Sequence, residues 1–334
     1  MTIAFFGEVM LRLSPPGREL LLQTSKFEVN VGGAEANVAT GLACLGHKVR
    51  MVSAVADNPL GGAIVGELRR RGVDTAQIAQ EPGRVGLYFL TPGAGLRASE
   101  VVYDRAHSVF ADRPAEAWDW EAALDGATRL HLSGITPALG ANTAAAAIAA
   151  AEAAGARGIP VSFDGNYRAK LWEAWDSDPR GVLSQLIAHA DILFGNHRDV
   201  ALLLGKPFSG DGPDRRREAA EAAFEAFPKL QLIASTARHV VDADSHRIAA
   251  RIDARDRGYQ TDEVLVAGIV DRIGAGDAFA AGVLHALLDG GDPAAAARAG
   301  LALTALKHSL PGDASLFTRA DLAAFDEGGL DVRR

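Results

Sequence analysis

Short apolar runs alternate with longer amphipathic stretches along most of the chain, the pattern of a mostly parallel sheet wrapped by helices. The runs predict central strands at 3–7, 49–54, 129–133, 160–164, 191–194 and 230–235. Helical spacing between and after them predicts helices at 34–45, 61–71, 143–154, 179–188, 197–204, 214–227, 277–289 and 293–307. Two regions break this rhythm. Residues 9–14 and 27–31 read as extra short strands, with Ser14-Pro15-Pro16-Gly17 as a turn between them, and 85–91 and 99–105 read as a hairpin around Pro92-Gly93-Ala94-Gly95. Strands that leave a wound sheet and pair with each other form a small flap. Ligands in such sheets sit at the carboxyl ends of the strands, where a flap covers them. With no repeat and no long linker, the expectation is one domain over 1–334 with lid strands from 9–31 and 85–105.

Composition narrows the class without changing this outline. The 334 residues are 48% hydrophobic and 23% charged, as in ordinary globular proteins. A formal charge of −8 argues against nucleic acid or an anionic membrane as partner. The single cysteine, Cys44, excludes an internal disulfide framework. The chain opens directly on the strand-like Ile3-Ala4-Phe5-Phe6, without a basic leader or apolar signal core, and the Ala-rich stretch 143–154 is too short to span a bilayer. The expected compartment is the cytoplasm. Arg215-Arg216-Arg217, beside Asp211, Asp214 and Glu218, reads as a solvated helix face.

The most informative segment is Val270-Asp271-Arg272-Ile273-Gly274-Ala275-Gly276-Asp277-Ala278-Phe279. An apolar run ends in a glycine turn, and a long helix opens at Asp277. Backbone N–H groups of such a turn, together with a helix N-terminus, favour an anion. An acidic residue there would repel phosphate if binding were the whole task. It is well placed if Asp277 takes a proton from an attacking hydroxyl while the backbone holds the phosphoryl group. By itself the segment leaves a second use open, since Asp is also a common N-cap. It is not a P-loop, because no Gly-Lys-Ser/Thr follows, and no Gly-x-Gly-x-x-Gly follows the first strand, which disfavours a dinucleotide dehydrogenase.

Asp271–Gly282 (DRIGAGDAFAAG) resembles the C-terminal signature of the ribokinase-like, or PfkB, carbohydrate kinases, and Val31–Gly46 (VGGAEANVATGLACLG) resembles their N-terminal sugar-binding region. The resemblance implies a ribokinase-like α/β fold with a small β-strand lid, ATP as donor and Mg²⁺ as metal. It makes Asp277 the catalytic base and Gly274, Ala275 and Gly276 the anion hole. Gly32, Gly33 and Asn37 are then expected at the sugar. Their plainer reading is a tight turn capping the following helix.

Three further segments resemble the 2-keto-3-deoxygluconate kinase branch: Tyr103-Asp104-Arg105-Ala106-His107-Ser108, Asp164-Gly165-Asn166-Tyr167-Arg168 with Leu171-Trp172, and Leu306-Lys307-His308-Ser309-Leu310-Pro311-Gly312-Asp313. A keto acid carries a carboxylate, and arginine offers a planar fork that matches it. The resemblance implies that Tyr103 and Arg105 hold the keto-acid end, that Arg168 lies between substrate and transferred phosphate, and that Tyr88 forms a second wall. An isolated Arg105 or Arg168 would more simply pair with a surface acid or cap a strand, and Tyr88 would more simply fill a lid core.

On the nucleotide side two departures stand out. The family's Asn-x-x-Glu, which orders the water shell of the metal, is here Asn196-His197-Arg198-Asp199, so Asn196 and Asp199 are expected to act on Mg²⁺ through water. Where many relatives carry Thr-x-Gly-x-x-Gly, this chain reads Ser235-Thr236-Ala237-Arg238-His239-Val240, which puts Thr236 and Arg238 at the nucleotide. Lys307 and His308 are expected at the adenine, although Lys307 also suits a helix C-terminus. The resulting expectation is ATP-dependent phosphorylation of the primary hydroxyl of a sugar acid. A kinase for fructose, ribose or another sugar acid stays open, as does a non-catalytic sugar-binding regulator. Exposed lid strands suggest a homodimer.

Overall fold

The computed structural model describes residues 1–326 and Gly328. Among these residues the strands are β1 (Thr2–Phe6), β2 (Met10–Ser14), β3 (Glu28–Gly32), β4 (Lys48–Ala56), β5 (Asp74–Glu81), β6 (Leu87–Thr91), β7 (Glu100–Asp104), β8 (Ala127–Ser133), β9 (Val161–Asp164), β10 (Ile192–Phe194), β11 (Leu232–Asp242), β12 (Ser245–Ala254), β13 (Gly258–Gln260) and β14 (Val264–Ala267). Ten of them build a large sheet in the order β13-β12-β11-β10-β9-β8-β1-β4-β5, with β14 also on β12. From β11 to β5 every pairing is parallel, whereas β12 pairs antiparallel with β11, β13 and β14.

The centre of this sheet follows from its sequence. Ile3, Ala4, Phe5 and Phe6 of β1 are all almost fully buried, as are Val161 and Phe163 of β9 and Leu193 of β10. Strands covered by helices on both faces read as such continuous apolar runs. The helix Ala141–Ala156 packs with Ala146, Ala147, Ala150 and Ala151 at 0% exposure, where the small side chain lets it approach the sheet closely. The helices Ala275–Leu288 and Pro293–Lys307 pack side by side near the C-terminus.

Two expectations need correction here. The edge strand β5 escaped the periodicity reading because its sequence, DTAQIAQE, is polar, and it pairs with the sheet on one side only. The run expected to end at 235 instead continues to Asp242 as β11 and turns into β12, held by nine consecutive residue pairs from Leu232↔Ala254 to Val240↔His246. The Ser235–Val240 stretch is therefore strand throughout.

The second sheet has the order β3-β2-β6-β7. Its own core is small: Met10, Tyr88 and Leu90, with Val101 and Ile273 packed against them. Ile273 belongs to the glycine-turn segment, so the small sheet uses the large body's turn as part of its core. A four-stranded sheet with so little apolar area of its own depends on this support.

Candidate active site

Parallel strands end on one side of the large sheet, and their carboxyl ends deliver the polar residues. Past β1 lies Glu8, at the end of β8 Ser133, at the end of β9 Asp164, and past β10 Asn196. The small sheet stands above them. Between the two lies a cavity of about 940 Å³ whose wall includes Gly33, Asn37, Tyr88, Tyr103, Arg168 and Asp277. A second cavity of about 480 Å³ runs along β11 and reaches His308. Both cavities share Asn196, Thr236, Arg238, Ala275 and Gly276, so they meet at the glycine turn. Two ligands can thus approach one point from opposite sides.

That point is the start of the helix Ala275–Leu288. Gly274 is its N-cap, with φ of 75°, a left-handed conformation that favours glycine. A Cβ on Gly274 would run into the Asp313 carbonyl, whereas one on Gly276 would meet nothing within 4 Å. Close packing of loops therefore demands the first glycine, and open space above the turn surrounds the second. Asp277 is the third residue of this helix and not its N-cap. Asn37 Nδ2 donates to its Oδ2 at 2.6 Å. Burial pushes the Asp277 carboxyl up to about 7, with Asp313 and Glu35 pushing the same way and Asn37 and Arg168 opposing. Asp164 is pushed to about 8 by burial and by the nearby Asp277 and Asp199. A carboxylate that titrates near neutrality beside an open backbone turn is equipped to accept a proton from a hydroxyl.

Gly33 lies on the wall at the start of the helix Ala34–Cys44, but Gly32 does not: its Cα hydrogens face the Asp313 carboxylate. Tyr88 is buried on β6 and donates to Asp313, while Tyr103, opposite it on β7, is 42% exposed. Their rings lie 5.8 Å apart. Arg168, after β9, stands open on the wall, with its Nη1 on the carbonyl of Tyr167 at 3.1 Å.

Arg105 departs from expectation. It is 6% exposed and absent from the cavity wall. Its Nε and Nη2 both donate to Glu8 Oε2, at 2.8 and 2.5 Å, and Ser108 donates to Oε1. Among the described residues its Nη1 has no hydrogen-bond partner, and its guanidinium carbon lies 5.7 Å from the Tyr103 ring centroid. A buried acid at the end of β1 captured it, which no spacing in the sequence could announce.

Of the residues expected at the nucleotide, Thr236 and Arg238 point from β11 into both cavities. His308 borders the smaller one; its Nδ1 donates to Thr304 O at 2.7 Å and its Nε2 is unpaired among the described residues. Lys307 does not border it. Fully buried, it donates from Nζ to the carbonyls of Leu310 at 2.9 Å and Asp271 at 3.4 Å. Asn196 and Asp199 form a reciprocal cap on the helix His197–Leu204: Arg198 N donates to Asn196 Oδ1 at 2.9 Å and Asn196 N donates to Asp199 Oδ2 at 2.7 Å. Asp199 keeps a place on the larger cavity's wall, and burial raises its pKa.

Asp164, Asn166, Asp313 and Glu35 stand within the motifs quoted above, but the sequence assigned none of them a role. Asn166 lines the crevice at a positive φ of 38°. Glu35 is fully buried, accepts from Ser133 and Thr136, and leaves Oε2 unpaired among the described residues. An acid in a helix's first turn gave no sign of this, because exposed first-turn acids are common.

Comparison with known proteins agrees with this architecture. The pfkB family of carbohydrate kinases matches residues 2–318. A 2-dehydro-3-deoxygalactonokinase of Haloferax volcanii is 32% identical over 328 residues, covering 97% of this chain and 96% of the relative. A 2-dehydro-3-deoxygluconokinase of Bacillus subtilis is 29% identical over 323 residues, covering 96% and 94%. The crystal structure of 2-dehydro-3-deoxygluconokinase from Thermotoga maritima aligns with a TM-score of 0.93 at 37% identity, covering 98% of this chain and all of that one. With a family match that spans nearly the whole chain and a site built where its two cavities meet, the chain belongs to the pfkB family of carbohydrate kinases and is a sugar kinase.

Proposed function

We propose that this kinase transfers the γ-phosphoryl group of ATP to the primary hydroxyl of a 2-keto-3-deoxygluconate-type sugar acid. The observation that carries the reading is Asp277 on the wall of the larger cavity, bonded to Asn37 and next to Ala275 and Gly276, where the two cavities meet. The sugar acid occupies the larger cavity under the small sheet, and ATP lies along β11. Asp277 takes the hydroxyl proton as the oxygen attacks, while N–H groups of the Gly274–Gly276 turn face the charge that develops on the phosphoryl oxygens.

The carboxylate end of the acid is placed against Arg168 and the Tyr88–Tyr103 wall. Arg105 stands behind Tyr103 and reaches the ligand only by leaving Glu8. Relatives named for both the deoxygluconate and the deoxygalactonate substrates support the acid class. Thr236, Arg238 and His308 are placed at the nucleotide.

Mg²⁺ suits the hard carboxylate oxygens on the larger cavity's wall: burial raises Asp164 and Asp199, and the nearby Asp277 and Asp199 raise Asp164 further. Asp164 and, through water, Asp199 would hold it, since Asn196 has its oxygen committed to the helix cap. Bound with ATP, the ion would neutralise phosphate charge. An ATP-dependent reaction fits a cytoplasmic setting. A homodimer through the small sheet is also proposed, because its edge strands β3 and β7 are free and Val29 and Val102 are 59% and 47% exposed.

The test is ADP release with Mg-ATP, comparing 2-keto-3-deoxygluconate, its galactonate epimer, gluconate, fructose and ribose. Preference for the keto acids is expected. Turnover with a neutral sugar alone would discard the substrate class, and no turnover with any would favour a sugar-binding regulator.

A further inference from the structure

Four charged groups meet, out of water, where the small sheet touches the glycine turn. Arg12 lies in the middle of β2 and is 3% exposed. Its Nη2 is 2.7 Å from Asp271 Oδ2, and its Nη1 is 3.0 Å from Asp313 Oδ1, an ion pair held by charge and proximity without hydrogen-bond alignment. Asp271 opens the segment that becomes the glycine turn: its Oδ1 accepts from Ile273 N at 2.9 Å and its Oδ2 accepts from Gly312 N at 3.1 Å. Lys307 holds the same segment from below through the carbonyls of Asp271 and Leu310.

Asp313 is the second anchor. Tyr88, directly across from Arg12 in the β2–β6 register, donates to it. Its backbone carbonyl lies where a Cβ on Gly274 would have to go. Ile273, the residue before Gly274, completes the apolar cluster of Met10, Tyr88 and Leu90. Two neighbouring prongs of the small sheet, Arg12 and Tyr88, therefore grip two acids whose loops shape the turn. Tyr88 also forms the wall of the sugar cavity.

We propose that Arg12 is a positioning residue that locks the glycine turn to the small sheet, so that seating the sugar and assembling the phosphoryl site become one event. Buried charges cost desolvation, and an apolar residue would hold a merely structural contact as well or better. A two-armed guanidinium has a different use: it fixes the relative position of two loops and a strand, which a single-point cation or an apolar side chain does not. A kinase needs this coupling, because a turn assembled without a seated sugar can pass the phosphoryl group to water. The inference rests on the reading of the glycine turn as the phosphoryl site.

Two variants test it. Arg12→Met removes the bridge, and Arg12→Lys keeps the charge but cannot span both acids. On whichever sugar the unaltered protein prefers, Arg12→Lys is expected to lower kcat by about ten- to a hundred-fold, the scale of a slightly misplaced reacting group. KM for ATP is expected to stay unchanged, KM for the sugar to rise, and the ratio of ADP released to sugar phosphate formed to rise above one. Hydrogen–deuterium exchange on the unliganded protein, which needs no acceptor, is expected to show faster exchange at 271–276. Unchanged kcat and product ratio in Arg12→Lys, or faster exchange confined to β2, β3, β6 and β7, would overturn the proposal. If Arg12→Met fails to fold, Arg12→Lys carries the test. A different preferred sugar overturns the substrate reading and leaves this one standing; with no acceptor at all, the exchange result decides.

Discussion

Asn37 and Asp277 lie 240 residues apart in sequence and 2.6 Å apart in space. The bond joins the first turn of the helix Ala34–Cys44 to the first turn of the helix Ala275–Leu288, and so ties one wall of the larger cavity to the candidate base. Asn37 donates, so it favours the ionised carboxylate and opposes the effect of burial.

Replacing Asp277 with Asn keeps the shape and removes the base. Turnover should fall by at least ~100-fold, the low end for loss of a general base, with ATP binding retained. Steady-state kinetics beside an ATP-binding titration checks this, and near-normal turnover would remove Asp277 from the chemistry.

The same carboxyl sets a pH dependence. Its folded value of about 7 stands above the usual value of 3.8, so the folded state holds more protons than the unfolded one between those values. Its contribution to stability therefore falls as pH rises through that window. At pH 8 Asp277→Asn should melt at a higher temperature than the unaltered protein, and the gap should shrink toward pH 5. The rate at saturating substrates should drop on the acid side of about pH 7 as the base takes up a proton. Asn37→Ala removes a bond to the charged form and should move that acid limb upward by about one to two pH units.

Glu8 and Arg105 give a separate test. Removing one partner of a buried ion pair strands the other charge. Arg105→Ala should destabilise the fold by about 3–5 kcal/mol in urea unfolding, and Glu8→Gln combined with Arg105→Met should recover part of that. A large rise in KM for the sugar acid with no change in stability would instead place Arg105 on the substrate.

The two turn glycines should separate fold from function. Gly274→Ala puts a Cβ into the Asp313 carbonyl at positive φ and should cost at least ~1 kcal/mol of stability from the backbone alone. Gly276→Ala meets open space, so it should fold normally while its methyl obstructs the approach of phosphate. Thermal melts and turnover, measured together, check both.

The chain's apolar rhythm alone determined the wound sheet, most of its helices and the presence of a flap, because burial on two faces leaves a continuous apolar run. The glycine turn and Asp277 were legible for a similar reason: local backbone geometry restricts which residues fit. What the sequence could not supply was partnership. Arg12 alternates with Leu11 and Leu13 as a solvent-facing residue would, yet it is buried on Asp271 and Asp313, more than 250 residues away. Arg105 read as a ligand for an external carboxylate and found an internal one in Glu8. Lys307 read as a neighbour of the nucleotide and holds two carbonyls beneath the turn. Periodicity reports which way a side chain points relative to its own strand or helix. Which opposite charge waits there is decided only when distant segments fold against each other, and in a low-dielectric interior that meeting fixes what each charge can do.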